Sequence, residues 1–207
     1  RAGAGAPAPA SFDDYLISHL AGRISQGVEN AIWSGNDATG GSFTGLTTAT
    51  VGRLVTDGTV VDVANAGGAG TAFTAANIIG NLQAATAAIP SNVYTKEDLY
   101  IYMSPKSYRL YISAISTLGY VNAYSMNNDY DAVFEGIKIA VCNGCEDNKL
   151  VCAEKSNLFF GTDLLSDSTN IQLLDMSGIT GSQNIRLIAR FTGGTQVGIG
   201  ADVVLVS

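Results

Sequence analysis

The chain has 207 residues and a mass of 21.4 kDa, and its 46% hydrophobic content suffices for one large domain or two small ones with a buried core. Only 14% of the residues are charged, against roughly 25% in an average soluble domain, so much of the surface is neutral. Eleven Lys and Arg stand singly against 18 Asp and Glu, for a net charge of -7, which excludes an extended site for nucleic-acid backbones because such sites need clustered cations.

Residues 1–10, "RAGAGAPAPA", are a low-complexity Ala, Gly and Pro segment read as a flexible arm or linker. The segment lacks the apolar core of a signal peptide, and no apolar run in the chain approaches the length of a membrane helix. The first residue is Arg1 rather than Met, as expected of a processed or trimmed product. Ser11 and Asp14 resemble a capping box, and Leu16, Leu20, Ile24, Val28 and Ile32 then recur every fourth residue. This spacing predicts a helix of about six turns that ends near Trp33 to Gly35.

From Gly35 to Thr71 the chain is rich in Gly, Thr, Ser, Ala and Asn, and "GTVVDVANA" is the one stretch expected to make a short strand or hairpin. Thr74 is the expected cap of a second helix running to Ile89 and terminated by Pro90. "DLYIYM" reads as a buried strand, followed by a third helix with Ser104 as N-cap, Pro105 in the first turn and Gly119 just past its end. From Phe134 onward the period changes to strands: "IKIAV", "KLVCAE", "NLFFG", "NIQLLD", "NIRLIARF", "TQVGIG" and "DVVLV". Helices placed before strands argue for an α+β fold rather than a doubly wound parallel sheet.

The stretch "SGNDATGGSFTGL" has the composition of a phosphate-binding loop but follows its helix instead of preceding it. A helix C-terminus presents carbonyl oxygens and partial negative charge, and no Lys occurs between Gly35 and Ala76, so the glycines here read as helix termination and turn. "CNGC" offers Cys142 and Cys145 at a spacing used for zinc or redox chemistry, with Cys152 as a third thiol and the only histidine, His19, far away. The preferred reading is a hairpin with Asn143-Gly144 as its tight turn. The odd cysteine count argues against a disulfide framework.

His19, inside the long helix, reads as a packing or surface residue. Asp163, Asp167 and Asp175 form an acidic group that reads as solvated caps rather than a metal or paired-carboxylate site. Tyr94, Tyr100, Tyr102, Tyr108, Tyr111, Tyr120, Tyr124 and Tyr130 fall close together, a composition that suits either interfaces or core. No catalytic, cofactor or metal site emerges, and the expectation is of a non-enzyme.

In order along the chain, "YLISHLAGRISQGVENAIWSGN" with the following "TGL", "LYIYMSPKSYRLYISA", "FEGIKIAVCNG", "NLFFGTDLLSD" and "IRLIARFTGGTQVGIGADVVLV" resemble the major capsid proteins of tailed bacteriophages, the family with the Hong Kong 97 type fold. The resemblance implies a long spine helix within a peripheral domain at residues 11–74, an axial domain at 75–157, strands returning through the peripheral domain at 158–195, and a final axial strand at 196–207. It further implies a shell subunit without catalysis or cofactor, assembling with copies of itself as hexamers and pentamers into an icosahedral container for double-stranded DNA. The implied partners are scaffold, portal or decoration proteins, with only weak contact to the packaged DNA and none to a membrane. The implied location is the virion, assembled in the bacterial cytoplasm.

The family's N-terminal arm and E-loop, which precede the spine helix and bridge neighbouring subunits, have no counterpart in the ten residues before this helix, and neither has the E-loop lysine of the cross-linking members. The chain is therefore expected to fold yet to assemble poorly, and to exist as a monomer in isolation. An encapsulin-like shell, a Cys-dependent metal-binding domain and a surface adhesin module are the alternative readings.

Overall fold

In a computed structural model of the chain, residues 12–39, 42–68, 70–118, 133–163, 171–176, 181, 185–189 and 192–207 are described. The longest element, α1 (Phe12–Ser34), is the helix that the every-fourth-residue spacing predicts. Its stripe of Leu20, Ile24, Val28 and Ile32 is only half-buried, and Trp33 in the last turn is the one fully buried side chain of this helix among the described residues. Most of α1 thus extends away from the rest of the described structure, and its C-terminal turn anchors it.

Six strands form the central sheet: β1 (Val61–Val63), β2 (Leu99–Met103), β3 (Val133–Phe134), β4 (Ile137–Val141), β5 (Leu150–Glu154) and β10 (Val204–Val206), in the order β1-β10-β5-β2-β4-β3. β1 runs parallel to β10 and β2 parallel to β4, whereas β5 is antiparallel to both of its neighbours, β10 and β2. Because β1 is an edge of this sheet, the sheet draws strands from both sides of residue 74. The alternation of side chains along a strand divides the core in two. Leu99, Ile101, Met103, Leu150, Cys152, Val204 and Val206 face α3 (Ile78–Ala87) and α5 (Pro105–Thr117), while Val151, Ala153 and Leu205 face Trp33, Leu46 and Leu54 on the other side.

Two antiparallel ribbons lie outside the sheet: β6 (Leu158–Thr162) with β9 (Gly193–Val197), and β7 (Ile171–Asp175) with β8 (Ile185–Ala189). Two short helices that sequence periodicity does not announce, α2 (Arg53–Thr56) and α4 (Ser91–Tyr94), turn the chain between longer elements. α+β is thus the observed class, a mixed sheet with α3 and α5 on one face and α2 and the end of α1 on the other.

Three expectations change. α3 begins at Ile78 rather than after Thr74, with Asn77 at its N-cap position: residues 75–77 form a turn, in which Thr74 O accepts the Ile78 N–H at 3.0 Å and the Thr74 N–H donates to Asn77 Oδ1 at 2.7 Å. The same helix ends at Ala87, before Ile89, and Pro90 serves as the N-cap residue of α4. Finally, the "CNGC" segment is not a hairpin: β4 and β5 are not neighbours, since β2 lies between them and pairs with both. The tight turn with positive φ is instead Glu135-Gly136, at 48° and 85°, which joins β3 to β4.

Ser104 does cap α5, its Oγ accepting the Ser107 N–H at 3.2 Å while donating to Asp147 Oδ1 at 2.8 Å. Gly119 lies outside the described residues, so the C-terminal part of that expectation does too.

Candidate interaction surface

The glycine and threonine stretch after α1 folds back onto the end of the helix and occupies its last carbonyl oxygens. Leu46 donates its N–H to Ile32 O at 2.8 Å, and Thr47 gives both its N–H and its hydroxyl to Trp33 O, at 2.8 and 3.0 Å. The Thr48 hydroxyl donates to Gly35 O at 2.5 Å. Gly45 allows the approach, because a Cβ there would stand 2.6 Å from Trp33 O. The Lys149 ammonium donates to Thr47 O and pairs with Glu146 at 2.6 Å, so a cation from a distant segment completes the cap on the negative end of the helix. A segment with the composition of a ligand loop therefore spends its polar groups on backbone.

The "CNGC" turn docks on the same helix. The Asn143 N–H donates to Glu29 Oε1 at 3.0 Å, and Gly144 lies so close to α1 that a Cβ would meet the Glu29 carbonyl oxygen and come within 2.8 Å of Asn30 Cα. Glycine is needed here for close approach, not for a positive φ. Cys145 packs on the Trp33 side of the sheet and Cys152 on the opposite face, so the three thiols do not converge on a common ligand. Burial raises all of them: Cys142 to about 11, with the Glu29 carboxylate adding to it, and Cys145 and Cys152 to about 12. Such thiols are protonated at neutral pH, which disfavours both metal ligation and nucleophilic chemistry.

His19 is exposed on α1 and stacks on the Tyr15 ring, centroids 6.2 Å apart. Asp163 is exposed at the end of β6, Asp175 closes β7 opposite Ile185, and Asp167 lies outside the described residues. Among the described residues no group of three or more His, Cys, Asp or Glu side chains is placed to hold a metal ion. No helix among them is long and apolar enough to cross a membrane. Of the tyrosines, Tyr108 and Tyr111 are core, Tyr94 is exposed, and Tyr100 and Tyr102 are half-buried, while Tyr120, Tyr124 and Tyr130 fall outside the described residues.

Tyr100 and Tyr102 lead to an apolar surface groove that residue-by-residue sequence reading misses. They point to the face of the sheet opposite α3 and α5, with ring centroids 6.1 Å apart, and Tyr102 meets Trp33 at 5.3 Å. Between this aromatic wall and β6 runs a groove of about 470 Å³, rimmed by Leu158, Phe159 and Phe160. Phe159 and Phe160 are 55% and 41% exposed, unusual for phenylalanines in a strand. The Lys155 side chain lines the groove and makes no ion pair with the described residues. Burial raises the Tyr102 pKa well above its ordinary value, so its hydroxyl keeps its proton.

No family model matches the chain, and no curated protein matches it either. Solved structures do. A Mycobacterium phage Che8 structure superposes with a TM-score of 0.58 at 13% identity, over 95% of this chain and 63% of the other. The capsid of the empty GTA particle gives 0.58 at 15% identity, over 94% and 64%. The satellite phage P4 procapsid, a structure that includes the size determination protein Sid, gives 0.58 at 13%, over 96% and 64%. The chain thus spans a little under two thirds of the length of these structures. Its fold is the Hong Kong 97 type shared by phage capsid subunits.

Proposed function

We propose that this chain is the folded body of a major capsid subunit of a tailed bacteriophage or a related phage-like particle, and that it builds a shell by association with copies of itself. The observation that carries the proposal is the superposition of nearly the whole chain on capsid subunits at TM-scores of 0.58. The chemistry of the molecule supports it. Cys152 lies on the opposite face of the sheet from Cys142 and Cys145, the glycine stretch is spent on a helix cap, and the groove beside Trp33 is open rather than an enclosed reaction chamber.

In this reading α1 is the spine, the six-stranded sheet with α3 and α5 is the body of the axial domain, and the two ribbons belong to the periphery. The chain has no catalytic residues and takes no cofactor, and its acidic balance keeps contact with packaged DNA weak. Scaffold, portal and decoration proteins are its further partners, and the virion is its location.

The test is electron microscopy of the complete polypeptide expressed in bacteria. Closed particles of uniform size are expected, and small monodisperse species under all assembly conditions overturn the proposal.

A further inference from the structure

Asn143 is the one asparagine of the chain followed by glycine, and Gly144 is required there by its close approach to α1. The packing of the turn thus sets a residue without a Cβ beside a side-chain amide, and leaves the Gly144 backbone nitrogen unscreened. Asn143 is exposed, and neither its side-chain amide nor the Gly144 N–H has a hydrogen-bond partner among the described residues. By contrast, hydrogen bonds hold the side-chain amides of Asn65, Asn77, Asn148 and Asn157.

Asn143 also lines a cavity of about 500 Å³ between α5 and the end of β4, and Arg109 lines the same cavity. Among the described residues no carboxylate pairs with this guanidinium. A cation in that place stabilises negative charge that develops on the amide oxygen, and the carboxylate that replaces the amide.

We propose that Asn143 is a self-modification site, at which the Gly144 nitrogen closes on the Asn143 side chain and the seating of the turn on α1 sets the rate. The Gly144 amide gives its proton to hydroxide, and its nitrogen forms a bond to Asn143 Cγ. The bond from Cγ to the side-chain nitrogen breaks, and that nitrogen takes a proton from water and leaves as ammonia. A water then opens the cyclic imide: cleavage at Cγ gives aspartate, and cleavage at the main-chain carbonyl gives isoaspartate. Water is consumed, ammonia is released, and nothing is oxidised or reduced.

Ring closure swings the peptide between residues 143 and 144 out of a turn that is closed by the Cys145 N–H on Cys142 O at 3.2 Å. While the turn is docked, the Asn143 N–H bond to Glu29 Oε1 and the fit of Gly144 on the Glu29–Asn30 backbone resist that swing. Local release of the turn from α1 permits it. Isoaspartate carries the main chain through its Cβ and lengthens the turn by one carbon, so the product no longer seats on α1 and the release becomes permanent.

The experiment holds the complete polypeptide at mildly alkaline pH and locates the product by ammonia release, peptide mass and isoaspartyl methyltransferase labelling. Conversion at Asn143 is expected to exceed that at any other asparagine by roughly tenfold or more. Glu29→Ala should raise the rate about fivefold, the equivalent of one net hydrogen bond, and Glu29→Gln should raise it less. Arg109→Gln should lower it by about two- to fivefold. Leu82→Ala, which destabilises the chain on the other face of the sheet, should leave the rate unchanged.

An Asn143 that stays intact while other asparagines react overturns the site. Equal rates in wild type and Glu29→Ala overturn control by α1. Acceleration in Leu82→Ala equal to that in Glu29→Ala places the reaction in the unfolded chain and overturns the proposal.

Discussion

Asn143 donates its backbone N–H to Glu29 Oε1 at 3.0 Å, and this bond joins α1 to a turn that follows it by more than a hundred residues. Gly144, the next residue, presses its Cα against the Glu29–Asn30 backbone. The two contacts fix where the helix leaves the body.

Adding a methyl group at Gly144 should therefore force the turn off the helix. Gly144→Ala is expected to destabilise the chain by about 1–3 kcal/mol, the usual range for overpacking against backbone that has no room to yield. Glu29→Gln, which keeps an acceptor oxygen, should cost less than Glu29→Ala. Urea unfolding of the three variants ranks them, and equal midpoints for Gly144→Ala and wild type contradict the packing described.

The helix cap invites a second substitution. Thr48→Val keeps the volume but removes the hydroxyl that serves Gly35 O, leaving that carbonyl with the Gly45 N–H as its one donor, at a cost of about 0.5–1.5 kcal/mol. Thr95, just past α4, is exposed, and Thr95→Val should change stability by less than about 0.5 kcal/mol. Thermal unfolding of the two variants separates the loss of a cap from the loss of a surface hydroxyl.

The thiols predict a pH dependence. Cys142, Cys145 and Cys152 have pKa values of about 11, 12 and 12 in the folded chain, above the reference value of 9.0, so the unfolded state loses these protons first as pH rises. Their contribution to stability is complete below pH 9 and is lost between about 9 and 12; the upward shifts of Tyr102 and Tyr111 act in the same direction from pH 10. Urea midpoints measured from about pH 8 to 11 should fall, and Cys152→Ala should flatten the decline. Alkylation at about pH 8 should be slow for all three cysteines until denaturant is added, with Cys142 the first to react.

Burial separates the core from the groove rim. Leu82 on α3 is fully buried against the sheet, and Leu82→Ala should cost about 2–5 kcal/mol. Phe159 is more than half exposed, and Phe159→Ser should leave the monomer's stability within about 0.5 kcal/mol of wild type. Calorimetry of the isolated chain measures both.

The elements legible in the sequence were those with a strong local cause. The spacing of Leu20, Ile24, Val28 and Ile32 marked α1, Ser104-Pro105 marked the start of α5, and the alternation of Leu99, Ile101 and Met103 marked β2. What local signals could not supply was partnership. Asn143-Gly144 has the composition of a hairpin turn, yet β2 lies between β4 and β5, and the glycine answers to α1 instead. Thr74 has the composition of a cap because a cap is a local motif, but a turn at 75–77 intervenes and Asn77 holds the N-cap position. The groove went unseen for the same reason, since Trp33, Tyr102 and Phe159 share no sequence period and meet only when three elements come together.

The placement of β10 carries a consequence for how the chain is made. Val204 sits between Val61 on one side and Cys152 on the other, so β1 has no neighbour in the sheet until residues 204–206 arrive. During synthesis the earlier elements leave the ribosome with that gap open and the flanks of Val61–Val63 and Leu150–Glu154 unzipped. The six-stranded sheet closes only when residues 204–206 insert between β1 and β5, and until then the growing chain carries unpaired strand edges.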